Sequence, residues 1–385
     1  MEPVPKLLAA IPQCPLDPAS GAARSAREVC ELLAAHGWQV TFAAFSCTEG
    51  GHSVNAADLE QQYGITSVTS HPDEGLSFTY RRVTYRLLDT GPFAINQARV
   101  AFASRFDALV QSGCSPLPDI LLTYGSSEDE VRRRARLRAL GVKVVFFLRN
   151  FSYVHPRSFA EVDAILTPSR MLSDHYRGIP STALPHVLAL EDIVAPVREP
   201  VFYTFINPAP GKGLDLFLSI VGRAAELRPD LPFLAVESRG SEERIANECA
   251  RMGIPLERLN LHIARNTPQP HRVYAVTRVL LVPSTEPEAG PRVIPEAHLN
   301  GIPVIASDRC AFAQSSEDFP GFVPRAGEDD AARVSSWLER ITSLHDDDEL
   351  YQRASREAWQ AGEPFRLGAT AQSYLDFFAR LKRSP

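Results

Sequence analysis

The sequence predicts an α/β protein of two domains, each a parallel sheet covered by helices, with a ligand cleft between them. Three observations predict it. The chain has 385 residues, and at roughly 100–200 residues per domain two domains is the natural division. Short apolar runs without strict alternation recur along it, separated by amphipathic stretches, which is the pattern of strands buried on both faces and joined by helical crossovers. The alternation pauses once near the middle, at residues 193–200, where Pro196 and Pro200 flank a charged stretch, and it restarts at Val201.

Taken in order, the strand candidates of the first half are 7–11, 40–45, 120–123, 144–148 and 164–167, and those of the second half are 201–206, 232–236, 260–263, 279–283 and 303–306. The helices between them show one apolar face each. Ala26, Val29 and Leu33 share a face, as do Leu214, Phe217, Leu218 and Val221 at i, i+3, i+4, i+7. The result is two Rossmann-like domains, 1–195 and 196–366, with ligands expected outside the C-terminal ends of the strands. The tail reads as two amphipathic helices, 347–361 and 367–383, around 362–364.

Composition narrows the function. A chain 44% hydrophobic and 22% charged is ordinary for a globular protein, and a net charge of −6 argues against a general nucleic-acid binder. Six scattered cysteines without C-x-x-C spacing read as free thiols in a reducing compartment. The apolar run 6–11, broken by Pro12 and Pro15, reads as a first buried strand rather than a signal peptide. No apolar run reaches the roughly 18–20 residues of a membrane span. The expectation is a cytoplasmic protein, compatible with peripheral membrane contact. The arginine-rich segment 131–140 reads as a solvated helix face preceded by acidic 128–130, and 345–349 (HDDDE) as an exposed acidic loop rather than a metal cluster.

Two segments carry chemistry. Only four of the 40 basic residues are lysines, and one of them, Lys212, sits in the glycine turn 207–213 between a strand and a helix. Backbone N–H groups at a helix start and a lysine charge suit a phosphate or diphosphate, although the spacing is not that of a Walker A loop. The second segment leaves the strand ending near Ser284. It places Glu288 in the loop, Gly290–Val293 at the start of the next helix, and Glu296 within that helix, with seven residues between the two glutamates. Carboxylates accept hydrogen bonds from sugar and ribose hydroxyls, while amide N–H groups and cations take the diphosphate. Gly21 similarly opens the first helix after the first strand, where it either places a helix N-terminus at the cleft as a further binding position or is an ordinary β–α turn.

The segments 207–217 (NPAPGKGLDLF) and 280–307 (LLVPSTEPEAGPRVIPEAHLNGIPVIAS) resemble the donor site of the family-4 glycosyltransferases, a large retaining family of GT-B fold. Residues 165–170 (ILTPSR) and 17–24 (DPASGAAR) extend the resemblance more weakly, so that it covers most of the chain but is specific in the second half. The resemblance implies a retaining transfer of a sugar (hexosyltransferase type, EC 2.4) from a nucleotide-sugar, most commonly a UDP-sugar, to a carbohydrate, lipid-linked or small-molecule acceptor, with no catalytic metal and no further cofactor. It implies that Glu288 contacts the donor sugar, Glu296 the ribose and Lys212 the diphosphate, with Gly290, Arg292 and Val293 flanking the phosphates. It also implies donor binding to the second domain, acceptor binding to the first, and a last helix that packs back on the first.

The chain departs from the family pattern at three places. Asn207 stands where an arginine is usual, and Pro291 replaces a common glycine. Arg149-Asn150-Phe151 stands where most members have a histidine, with His155 a few residues on. Two other readings therefore stand beside transfer: a non-catalytic nucleotide-sugar binder, and another enzyme of the same fold such as a phosphorylase or an epimerase. Residues 46–71 and 91–97, where acceptor loops would lie, carry no readable code.

Overall fold

A computed structural model describes residues 3–71, 75–91, 93–310, 330–366 and 368–383. Pro92 of the 91–97 loop and Leu367 of the tail lie outside them. The chain divides into two compact units, Met1–Val187 with Thr370–Pro385, and Leu188–Ala369.

The first unit runs β1 (Lys6–Ala10), α1 (Gly21–Ala35), β2 (Gln39–Phe45), α2 (Ala56–Tyr63), β3 (Val68–His71), β4 (Gly75–Tyr80), β5 (Val83–Leu88), α3 (Ile95–Ala101), α4 (Ala103–Ser112), β6 (Ile120–Thr123), α5 (Glu128–Ala139), β7 (Lys143–Phe147), β8 (Ala164–Thr167), α6 (Arg170–His175) and β9 (Thr182–Ala183). Its nine-stranded sheet has the order β3-β4-β5-β2-β1-β6-β7-β8-β9. The sheet is parallel from β5 to β9, with antiparallel pairs β3/β4 and β4/β5 at one edge. The sequence predicts only parallel strands and a loop at 46–71; the structure places α2 and β3 there, and the hairpin β4–β5 after them. Tyr85 and Leu87 are buried while Thr84 is exposed, the alternation of a half-buried edge. Leu8, Ala10, Phe45, Leu121 and Val144 meet Phe106 and Leu137 in the core. The face predicted from Ala26, Val29 and Leu33 is fully buried.

The 131–140 segment is not simply a solvated face. Ser127 and Glu130 form a capping box that starts α5, and two of its arginines turn inward. Arg133 lies over the Phe106 ring and pairs with Asp107 at 2.6 Å. Arg134 lies over Phe146 and donates to the Gly125 carbonyl. Guanidinium planes stack on aromatic faces, so a run that looks basic in sequence is partly core.

The second unit runs α7 (Leu190–Ile193), β10 (Phe202–Ile206), α8 (Leu214–Leu227), β11 (Phe233–Val236), α9 (Glu242–Met252), β12 (Leu261–Ala264), α10 (His271–Val276), β13 (Thr277–Val282), α11 (Val293–Leu299), β14 (Val304–Ala306), α12 (Asp330–Asp346), α13 (Asp348–Ala361) and α14 (Glu363–Arg366). Its sheet has the order β12-β11-β10-β13-β14 and is parallel throughout. Leu214, Phe217, Leu218 and Val221 are all buried against Tyr203, Phe205 and Phe233, each such side chain contributing about 1.5–3 kcal/mol. Residues 188–195 go with this unit because Ile193 joins its core and Asn300 holds the segment, accepting from Ala195 N at 2.8 Å and donating to the Ile193 carbonyl at 3.1 Å.

Residues 345–349 are a helix junction rather than a free acidic loop. His345 Nδ1 meets the Tyr203 hydroxyl at 2.9 Å, and Asp347 caps α13 by accepting from Leu350 N. No metal-holding group of side chains occurs among the described residues, and none of their helices is long and apolar enough to cross a membrane. The last helix, α15 (Ala369–Arg383), belongs to the first unit: Tyr374 donates to the Leu184 carbonyl and accepts from Arg149, and Phe378 meets Trp38 edge-on.

Candidate active site

In the second unit the strand order reverses between β10 and β13, so the segments leaving these two neighbours diverge to opposite faces of the sheet. That leaves a crevice at their C-terminal ends, where open α/β sheets bind ligands. Lys212 and Glu288 stand on its two sides. Pro210–Lys212 forms a single 3-10 turn after β10, and Gly213, at φ 86°, leads into α8. A Cβ on Gly213 would lie 1.9 Å from the Pro283 carbonyl oxygen, so only glycine lets this turn approach the end of β13. Thr285 N and Glu286 N both donate to the Gly211 carbonyl, and the Glu286 carboxylate lies against Gly211. We expect Gly213→Ala to lower stability by about 3 kcal/mol or more, the sum of a left-handed alanine and a backbone clash. Thermal denaturation checks this: a fall in Tm under about 3 °C, less than one kcal/mol for a unit of this size, would contradict it.

Across the crevice, Lys212 Nζ donates to Glu288 Oε2 at 2.5 Å, and Ser284 Oγ donates to Glu288 Oε1 at 2.6 Å. The Glu288 backbone N–H is bonded to the Arg309 carbonyl, and Glu288 bridges to Cys310. The Cys310 thiol is pushed up to about 12 by burial and by the Glu288 carboxylate. It is therefore a neutral wall of the site and no nucleophile.

Glu296 is buried in α11. Its Oε2 accepts from the Tyr274 hydroxyl at 2.7 Å, and its Oε1 accepts from Arg292 Nη2 at 3.0 Å and Nε at 3.2 Å. Arg292 is also buried and precedes Val293, the first residue of α11. Gly290 and Pro291 lie just before it, so the 290–293 backbone forms the approach to this short helix. His298 on the same helix is held near 4 by burial, hence neutral.

The other predicted positions fall as follows. Asn207 adopts φ 68°, and its Oδ1 accepts from Arg239 N at 3.1 Å and Gly240 N at 3.4 Å. Its oxygen thus fastens the turn after β11 to the turn after β10. Gly21 is the first residue of α1 in the other unit, after Ser20, whose buried hydroxyl has no partner among the described residues. Arg149 is packed over the Phe147 ring and bonded to Tyr374, Asn150 is exposed and turned to Ser152 N, and His155 is exposed at the start of a 3-10 turn. Sequence reasoning missed Ser284 and Tyr274. Ser284 could have been found four residues before Glu288; Tyr274 reaches Glu296 only through the packing of α10 on α11.

No family model matches the chain, and no curated protein matches it in sequence. Solved structures match over its whole length. Sucrose-phosphate synthase from Thermosynechococcus elongatus aligns with TM-score 0.71 and 15% identity over 98% of this chain and 99% of that one. The catalytic domain of starch synthase IV from Arabidopsis thaliana, bound to ADP and acarbose, aligns with TM-score 0.69 and 13% identity over 99% and 100%. HepE from Anabaena, in complex with UDP and glucose, aligns with TM-score 0.68 and 13% identity over 98% and 100%. Two α/β units with parallel sheets, matched end to end by these structures, give the chain the GT-B fold.

Proposed function

We propose that the chain is a nucleotide-sugar-dependent glycosyltransferase, retaining and of the hexosyltransferase type, similar to family 4. It would use a UDP-sugar and pass the sugar to an acceptor hydroxyl on a carbohydrate, lipid-linked or small molecule in the cytoplasm. The observation that supports this most is the crevice of the second unit, with a lysine on one side and a sequestered glutamate on the other. Lys212 and the start of α8 suit a diphosphate, Glu288 suits sugar hydroxyls, and Glu296 suits the ribose. The neighbours in fold with bound UDP and ADP agree with a nucleotide donor.

One Glu288 oxygen is held by Ser284 and the other by Lys212. A donor would draw Lys212 toward its phosphates and free Oε2 for a sugar hydroxyl. As the glycosidic bond to phosphate breaks, charge grows on the leaving diphosphate, and the Lys212 ammonium stabilises it. Retention fits attack from the leaving-group face, the departing phosphate accepting the acceptor proton. No catalytic metal is invoked.

One observation favours the second reading, a nucleotide-sugar binder: Arg149 is tied into the scaffold of its own unit at the place where a catalytic histidine would stand. Thermal stability against UDP, GDP, ADP, dTDP and their sugars, followed by product analysis, separates the readings. A ligand at about 100 times its dissociation constant adds about 2.7 kcal/mol. We expect a UDP-sugar to stabilise the protein and to yield a product of unchanged anomeric configuration. Stabilisation without turnover or donor hydrolysis supports the binder; no stabilisation by any nucleotide defeats both; an inverted product defeats retention.

A further inference from the structure

The first unit has a crevice of its own. In the order β5-β2-β1-β6-β7 the chain reverses between β1 and β6, so their C-terminal ends form a second topological switch point. Gln13 follows β1, Tyr124 follows β6 directly, and Arg99 reaches in from α3, the helix after β5. The Gln13 side-chain oxygen accepts from the Tyr124 hydroxyl and from Arg99 Nη2 at 3.2 Å. Burial raises Tyr124 well above the usual phenol range and Tyr153 to about 12, and in both the Arg99 charge pulls the other way.

Arg99 Nε is closed to solvent and has no hydrogen-bond acceptor among the described residues. Its bonded neighbour among the described residues, Gln13, is neutral. The carboxylates of the region are held elsewhere: Asp17 by Ala19 N and Glu49 N, Asp89 by Ser53 and Gly91 N, Glu130 by Ser127. A half-buried guanidinium with a shut-in, unmet N–H is costly. It is the residue type that takes phosphate or carboxylate in a two-point fork.

We propose that this crevice is the acceptor subsite and that Arg99, oriented by Gln13, receives an anionic group, phosphate or carboxylate, carried by the acceptor. The proposal rests on the transferase reading for the word acceptor; the anion site rests on the first unit alone. The test uses calorimetry on the full chain with inorganic phosphate, glucose 6-phosphate, glucuronate and glucose, and with UDP as a separate arm. Glucose 6-phosphate or glucuronate should bind about tenfold or more tightly than glucose, and the stronger of the two identifies the group. Arg99→Ala should remove that advantage and leave UDP binding unchanged. Should that variant not fold, Arg99→Lys keeps a charge without the fork and should lose most of the preference. In the wild type the Arg99 Nε–H resonance, assigned through Arg99→Lys, should shift on adding phosphate. If no anionic probe binds better than glucose, if either folded variant binds them as the wild type does, or if the resonance stays still, the proposal is wrong. Failure of UDP to bind the wild type counts against the donor site only.

Discussion

If the proposed transfer holds, Lys212→Ala should lower kcat/KM for it by about 10²–10³-fold, the usual cost of removing one group that stabilises charge on a leaving oxygen, and should lower the melting temperature only modestly. The two halves of this expectation have separate causes. Lys212 is about a third exposed, but Glu288 is buried, so deleting the lysine leaves a carboxylate short of one charge-assisted bond and costs about 1–3 kcal/mol. Glu288 keeps its Ser284 hydrogen bond. In the reaction the same ammonium would meet a doubly charged diphosphate in a crevice emptied of water, where a charge-assisted contact is far stronger. Binding of UDP should weaken, binding of uridine should not, and Lys212→Arg should recover part of the loss. Steady-state kinetics with calorimetry on UDP and uridine checks all three. A Lys212→Ala protein that turns over normally removes the lysine from the mechanism; one that unfolds makes it structural.

Much of the architecture is legible in the sequence because it rests on local pattern. Most of the ten strands found by apolar runs are doubly buried, such as 7–11, 120–123 and 279–283, where burial on both faces leaves a continuous signal; β12, at a sheet edge with His262 exposed, is found on a weaker run. The edge hairpin of β4 and β5 is not legible in this way, since Thr79, Thr84 and Arg86 interrupt it and pairing supplies its order. The glycine turn before α8 could be read because a left-handed Gly213 announces itself by type. The Lys212–Glu288 pair could not, because 76 residues and the register of β10 on β13 separate the two. Asn207 shows the same limit. Its place in the motif suggests a ligand contact, while its side chain serves the turn after β11, a fact that exists only once two strands are paired. Arg99 carried no signal at all, since an arginine after a loop is ordinary until its neighbours are known.

Glu296→Ala should destabilise the second unit by about 3–5 kcal/mol, which for a unit of this size is a fall of about 6–20 °C in Tm. Only 3% of Glu296 is exposed and 8% of Arg292. Removing the carboxylate takes two charge-assisted bonds from a buried guanidinium and the acceptor from the Tyr274 hydroxyl. Glu296→Gln retains one carbonyl oxygen for Tyr274 or Arg292 and should cost less, about 1–2 kcal/mol. This difference decides how a ribose role can be tested. Loss of nucleotide binding in Glu296→Ala would follow from a distorted α11 as readily as from a lost ribose contact, so the alanine variant cannot assign the role. Glu296→Gln can, if it is paired with a nucleotide lacking the hydroxyls. The wild type should prefer UDP over 2′,3′-dideoxy-UDP by about tenfold, and Glu296→Gln should bind the two nearly alike. If the preference survives in Glu296→Gln, the carboxylate is scaffold, its charge serving Arg292, and the ribose is held by other groups.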